Sequence, residues 1–276
     1  MIANRKNELT IPRNALNIAV GAAMQAGRVI MDGYGKVLKI EDKQHHDFVT
    51  EVDKKAEESI IKYLHRAFPD HEILAEESGK HENVHACRWI VDPLDGTTNF
   101  IHGVPMFAVS IALEVNGELI TGAVYEPVRK ELFTAEKNKG AFLNGRKISV
   151  SSVSEKARCL LATGFPFRNY DLVDEYLKIF KSFMTQVSGI RRPGSAALDL
   201  CYLACGRYDG FWELNLKPWD IAAGTLISQE AGGTITDFAG RKEFLYKGNV
   251  IGSNSQIHPW MLETVQEVLH EKAVLL

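Results

Sequence analysis

Two aspartates three positions apart, Asp92 and Asp95, flank a turn in the stretch Trp89-Ile90-Val91-Asp92-Pro93-Leu94-Asp95-Gly96-Thr97-Thr98-Asn99-Phe100. Carboxylates supply hard oxygen ligands of the kind Mg²⁺ takes. Two hydroxyls and an amide, from Thr97, Thr98 and Asn99, follow at once. The apolar run Trp89 to Val91 reads as a buried strand that stops at the turn residues Pro93 and Gly96. Such a strand delivers both acids to its C-terminal end, and free N–H groups at a following helix start would receive a phosphate. An isolated Asp-Gly is usually only a polar turn. The longer spacing Asp-Pro-x-Asp-Gly-Thr-Thr is what lifts this stretch above that interpretation.

Two further motifs accompany it: Glu76-Glu77-Ser78 upstream, and Lys217-Pro218-Trp219-Asp220-Ile221-Ala222-Ala223-Gly224 downstream. With all three in this order, the chain resembles the inositol monophosphatase family, of bacterial inositol-1-monophosphatase type. These are Mg²⁺-dependent, lithium-sensitive phosphatases, and the resemblance runs over nearly the whole chain. It implies metal ligation by Glu76, Asp92, the Leu94 carbonyl, Asp95 and Asp220, with a weaker contact at Asp47. It implies that Thr97 and Glu76 orient the attacking water beside Asp95, and that the N–H groups of Gly96 and Thr97 hold the phosphate. Gly194, Ser195, Ala196, Glu213 and Asp220 would face the substrate. The cofactor would be two or three Mg²⁺, with Mn²⁺ as a substitute and Li⁺ as an inhibitor, and the protein would be a homodimer.

The chemistry of these residues is consistent with that. If Glu76, Asp92, Asp95 and Asp220 converge, like charges raise their pKa values, and a divalent cation relieves the crowding. An all-oxygen donor set favours Mg²⁺ or Mn²⁺ over Zn²⁺. Two metals about 4 Å apart would clamp the attacking and leaving oxygens of an in-line displacement. Plainer roles compete at several positions. Glu77 reads as a solvated charge, Asp47 as a residue preceding the helix that Thr50 caps, and Glu213 as a strand-end surface acid. Asp220 stands where a helix begins and would oppose its dipole or cap it. Arg191 and Arg192 stay unassigned, and His45-His46 reads as a solvated loop.

The rest of the chain must position these groups. Two amphipathic helices precede the central motif, the second opened by the capping-box pair Thr50 and Asp53. A short strand is expected over Val37, Leu38 and Ile40, another over Ile73 to Ala75, and a mobile loop over Ser78 to Ala86. Asn116-Gly117 and Asn144-Gly145 mark two hairpins. After Val153 short strands alternate with helices, which suggests an α/β arrangement. These elements suggest α+β followed by α/β, and the resemblance implies that they form an α+β/α/β layered sandwich (αβαβα, sugar-phosphatase-like). An antiparallel sheet would lie in an N-terminal subdomain, residues 1–153, and a mixed sheet with alternating helices in a C-terminal one, residues 154–276.

Composition narrows the function classes. The chain has 276 residues, is 45% hydrophobic and carries a net charge of −3 with interspersed signs, which gives no basic face for nucleic acid. Its four cysteines form no CxxC pair, and the longest uncharged run, Gly96 to Leu113, holds too many polar groups for a membrane span. A cytoplasmic protein with no nucleic-acid or membrane partner is expected, and the resemblance implies an enzyme acting on a phosphorylated polyol or sugar. The expected reaction is hydrolysis of myo-inositol monophosphate or a related phosphate by metal-activated water. Fructose-1,6-bisphosphatase activity, alone or in addition, is the near alternative. Histidinol phosphate and nucleotide 3′-phosphates are more remote substrates. A non-catalytic regulatory binding protein on the same fold is the alternative of a different class.

Overall fold

The strand that carries the two aspartates does not stop at Val91; it runs on from Cys87 to Asp95, straight through Pro93. This is seen in the computed structural model, which describes residues 12–36, 39–44, 47–81, 86–167 and 170–269. In chain order its elements are α1 (Ala15–Gly33), β1 (Ile40–Gln44), β2 (Asp47–Thr50), α2 (Glu51–Ala67), β3 (Glu72–Ala75), β4 (Gly79–His81), β5 (Cys87–Asp95) and α3 (Thr97–Ile101). There follow β6 (Ala108–Val115), β7 (Glu118–Glu126), β8 (Glu131–Glu136), β9 (Gly140–Leu143), β10 (Arg146–Ile148), β11 (Leu160–Thr163), α4 (Val173–Met184) and β12 (Gly189–Arg191). The chain then adds α5 (Ala196–Ala204), β13 (Gly210–Glu213), α6 (Pro218–Glu230), β14 (Thr234–Thr236), α7 (Phe244–Lys247), β15 (Val250–Ser253) and α8 (His258–Leu269).

These elements stack in five layers. The outer layer is α1 and α2, whose apolar faces cover one side of an eight-stranded sheet ordered β10-β9-β8-β7-β6-β5-β3-β4. Every pair in that sheet is antiparallel except β3 with β5. The middle layer is α5 and α6. All nine residues of α5 are buried, as is the whole run Ile221 to Ser228 of α6. A helix apolar on every side belongs between two layers. A five-stranded mixed sheet, β12-β11-β13-β15-β14, lies beyond it, and α4 and α8 close the stack. This is the αβαβα sandwich that the sequence implies. One continuous core joins Ile90, Ala108, Ala112 and Phe133 of the large sheet to Leu198, Leu200, Ala222 and Ile227 of the middle helices.

Several local expectations need correction. Gly79–His81 forms an edge strand against β3 where a loop was expected, because pairing with a neighbouring strand supplies what the sequence lacks. Residues 82–85 of that expected loop lie outside the described residues, as do Val37, Leu38, His45 and His46. The early strand therefore starts at Ile40. Strand β8 was not foreseen. Its Phe133 and Ala135 are buried, but charged and polar neighbours break up the apolar signal. Both Asn-Gly hairpins are present, with Asn116 and Asn144 at positive φ. No described helix is long and apolar enough to cross a membrane.

Candidate active site

The acids arrive on separate elements. Asp92 and Asp95 stand at the end of β5, where the pairing with β6 slips between them. A bulge of this kind re-aims side chains and tolerates a proline, which has no N–H to give to the ladder. Asp92 is 1% exposed and accepts the Leu94 N–H at 2.9 Å. Gly96 then turns the chain at φ 97°, and a Cβ there would meet the Met106 carbonyl at 2.8 Å, so only glycine fits. α3 begins at the next residue.

Glu76 follows β3, and its N–H donates to the Val91 carbonyl at 3.2 Å. The turn it opens is held from below by Glu57 of α2. That buried carboxylate accepts the N–H groups of Glu77 at 2.8 Å and Ser78 at 2.9 Å. One helical turn earlier, Asp53 uses one oxygen to accept the Thr50 N–H at 2.9 Å, closing the capping box. Its other oxygen accepts the Thr97 hydroxyl at 2.8 Å. The Thr97 hydroxyl, which the family resemblance sets to work with Glu76, is thus shared between Asp53 and the Leu94 carbonyl, 3.0 Å away.

Asp220 is the third residue of α6, and its Oδ2 accepts the Lys217 N–H at 2.6 Å. The helix-capping role is therefore present. The same residue lines a cavity of about 600 Å³ together with Glu76, Asp92, Leu94, Asp95 and Thr97. Burial, and then the charges of Glu76, Asp95 and Asp220, push the Asp92 carboxyl well above the usual carboxylate range. Burial also lifts Asp95 to about 6, against the hydrogen bonds it receives from Ser195 and Ala197. Crowded oxygen donors of this composition fit Mg²⁺. Among the described residues no three His, Cys, Asp or Glu side chains form a ready-made ligand cluster. Asp95 turns its Oδ2 to the Ser195 hydroxyl at 2.6 Å and the Ala197 N–H at 2.8 Å. Asp47 opens β2, but its side chain lies outside the described part.

On the opposite wall, Ser195 caps α5 by accepting the Leu198 N–H at 3.4 Å. Gly194, Ser195, Ala196 and Glu213 all line the cavity. Glu213 ends β13 and lies against Gly164, where an added Cβ would come 1.8 Å from its Oε1. Asn99 ties the walls together, donating through Nδ2 to the carbonyls of Met106 at 2.7 Å and Pro193 at 2.8 Å. At the mouth, exposed Phe165 and Phe167 carry the guanidinium of Arg192 at 5.6 and 5.0 Å from their ring centres.

Three features escape sequence reasoning: the Asp53 link to Thr97, the Glu57 brace, and this aromatic rim. The first two leave a trace. Asp53 and Glu57 fall on the apolar stripe Val52, Ala56, Ile60 and Leu64 of α2, where an acid needs a buried partner.

Comparison with known proteins identifies relatives of the chain. Residues 12–270 match the inositol monophosphatase family. The chain is 48% identical to the Nus factor SuhB of Pseudomonas aeruginosa over 258 residues, covering 91% of this chain and 95% of that protein. The crystal structure of the extragenic suppressor protein suhB from Bartonella henselae superposes with a TM-score of 0.88 at 45% identity, covering 91% of this chain and 98% of that one. The Thermotoga maritima IMPase gives 0.86 at 38% identity, with 94% and 99% covered.

Proposed function

We propose, from the premise that the chain belongs to the inositol monophosphatase family, that it is a Mg²⁺-dependent phosphomonoesterase acting on a polyol or sugar phosphate. myo-Inositol monophosphate is the first choice of substrate. The observation that carries this conclusion is the meeting of Glu76, Asp92, Asp95 and Asp220 in one cavity beside the Thr97–Asp53 pair. Glu76, Asp92, the Leu94 carbonyl, Asp95 and Asp220 would hold two or three Mg²⁺, or Mn²⁺ in their place, with Asp47 as an outlying contact. When bound, Mg²⁺ stabilises charge on the phosphoryl oxygens and acidifies water.

The protein groups do the positioning. Thr97 turns its proton toward Asp53 and the Leu94 carbonyl, which leaves its lone pairs for the attacking water. Burial raises the Asp53 pKa from its ordinary value, against its hydrogen bonds to Thr50 and Thr97, which favours its taking the proton that Thr97 passes on. Glu76 completes the orientation of the water. The N–H groups of Gly96 and Thr97 anchor the phosphate. Gly194, Ser195, Ala196 and Glu213 meet the hydroxyls on the far side, and Li⁺ would inhibit from a Mg²⁺ position. Arg192 at the mouth keeps fructose 1,6-bisphosphate as an alternative substrate, since a guanidinium suits a second phosphate.

Phosphate release from a panel of inositol phosphates, fructose 1,6-bisphosphate, histidinol phosphate and nucleotide 3′-phosphates, with Mg²⁺ and with EDTA, tests this. Release abolished by EDTA is expected; none from any ester at any Mg²⁺ concentration defeats the proposal. A second role, as a Nus factor, is favoured by the likeness to the P. aeruginosa protein of that name. The Asp95→Asn variant, introduced into P. aeruginosa lacking its SuhB, separates the two. Rescue by the inactive variant assigns the Nus-factor role to the folded protein rather than to hydrolysis.

A further inference from the structure

Asp199 belongs to none of the roles above, yet it stands on the wall of the same cavity. It lies on α5 one turn beyond Ser195, with its N–H on the Ser195 carbonyl at 3.0 Å. It is 1% exposed, and among the described residues its Oδ1 is buried with no hydrogen-bond partner. A buried carboxyl group in this condition is expensive. Leaving a polar group unpaired in an apolar setting costs about 1–3 kcal/mol, and more when it is charged. Its place in the first turn of α5 offers a purely structural explanation, because a helix start favours negative charge. That explanation fails on electrostatics. Burial, and then the negative charges of Glu213 and Asp95, push the Asp199 carboxyl well above the usual range, which favours its uncharged form and weakens any gain from the dipole.

We infer that Asp199 is a specificity-determining residue that engages a diol of the substrate jointly with Glu213. Glu213 as a carboxylate only accepts hydrogen bonds; an uncharged carboxylic acid both donates and accepts. A pair of this kind is complementary to adjacent hydroxyls. One hydroxyl donates to Glu213 while accepting from Asp199, and its neighbour donates to the Asp199 oxygen that lacks a partner. The burial that makes the acid costly also favours its protonated, donating form, a use of buried carboxylic acids known from other catalytic sites. A phosphomonoester without hydroxyls gains nothing from the pair, so the pair selects polyol phosphates over simple esters. The inference rests on the phosphatase proposal and narrows its substrate class.

The test compares wild type with Asp199→Leu and Asp199→Asn on myo-inositol 1-phosphate and on 4-nitrophenyl phosphate, in Mg²⁺. The Leu variant is expected to lose at least ~10-fold in kcat/KM on the inositol ester relative to the nitrophenyl ester, since a site built to bind hydroxyls discriminates strongly. The Asn variant, which keeps one donor and one acceptor, is expected to restore most of that ratio. The melting temperature of the Leu variant should hold or rise, because an unpaired buried polar group is gone. If Leu does not fold, Asp199→Ala, which only enlarges the cavity, carries the same comparison. An unchanged ratio of the two kcat/KM values overturns the inference. Should wild type hydrolyse neither ester, the phosphatase proposal falls instead. The rise in melting temperature caused by myo-inositol 1-phosphate, and its loss in the Leu variant, then still judges Asp199.

Discussion

The Thr97 hydroxyl and the Asp53 carboxylate, from the first residue of α3 and the first turn of α2, are joined at 2.8 Å. This bond fixes which way the hydroxyl points. Asp53→Asn would place an amide near Thr97, able to donate where the carboxylate only accepts, and the threonine proton would turn to the Leu94 carbonyl. We expect kcat to fall ~10²-fold with KM little changed, the size of effect seen for positioned acid–base groups. The amide oxygen can still accept the Thr50 N–H of the capping box, so melting should shift little. Steady-state kinetics beside a melting curve decides it; an unchanged kcat removes Asp53 from the mechanism.

Asp220 caps α6 and lines the cavity. The amide oxygen of Asp220→Asn can still accept the Lys217 N–H, so the melting temperature in EDTA should match wild type. Removing the charge should weaken Mg²⁺ dependence severely, with phosphate release down at least ~10²-fold at saturating Mg²⁺. A variant that titrates with Mg²⁺ and turns over like wild type would leave Asp220 with the cap alone.

Gly164 lies under the Glu213 carboxylate. The added methyl of Gly164→Ala cannot share that space, so Glu213 must swing away. The expected result is a rise of ~10-fold in KM for myo-inositol 1-phosphate, the loss of about one charged hydrogen bond, with kcat within a few-fold. An unaltered KM would show that Glu213 does not touch substrate.

His258 provides the pH dependence. It is 7% exposed, opens α8, and faces Thr236 and Ser253 through its two ring nitrogens. Burial pushes its pKa down to about 4, and a helix start also disfavours an imidazolium. The unfolded chain takes up this proton near pH ~6.5. The contribution is therefore intact above that value and is lost as pH falls toward 4, by up to about 3 kcal/mol. Melting of His258→Gln against wild type across this range should show the smaller decline in the variant. Parallel curves would refute the assignment, and the comparison cancels the carboxyl groups that titrate in the same window.

Much of the site is legible in the chain because its pieces are local. Asp92, Asp95, Gly96 and Thr97 are contiguous with a strand, a bulge and a helix start, so their order nearly determines their placement. The Thr50–Asp53 capping box is likewise a matter of residues three apart. What the sequence hides is long-range. That Asp53 has a spare oxygen for Thr97, or that Glu57 braces the turn after Glu76, depends on how α2 lies over the large sheet. Edge strand β4 has no apolar period of its own and exists because β3 offers a free side. Asp199 reads as an ordinary helix-start acid until the middle layer buries it.

The seating of α6 between the two sheets bears on how the chain is made. A ribosome releases all eight strands of the large sheet by Ile148, well before Pro218 emerges. Until α5 and α6 arrive, the sheet face carrying Ile90, Ala108, Ala112, Val124 and Phe133 has nothing to cover it. A broad apolar surface bared for that interval is a natural client for a holding chaperone and a hazard for neighbouring nascent chains. Because Asp220 travels on the same helix, the last of the four acids is delivered by the segment that seals the core. A half-made chain therefore cannot gather the four-acid site in the cell.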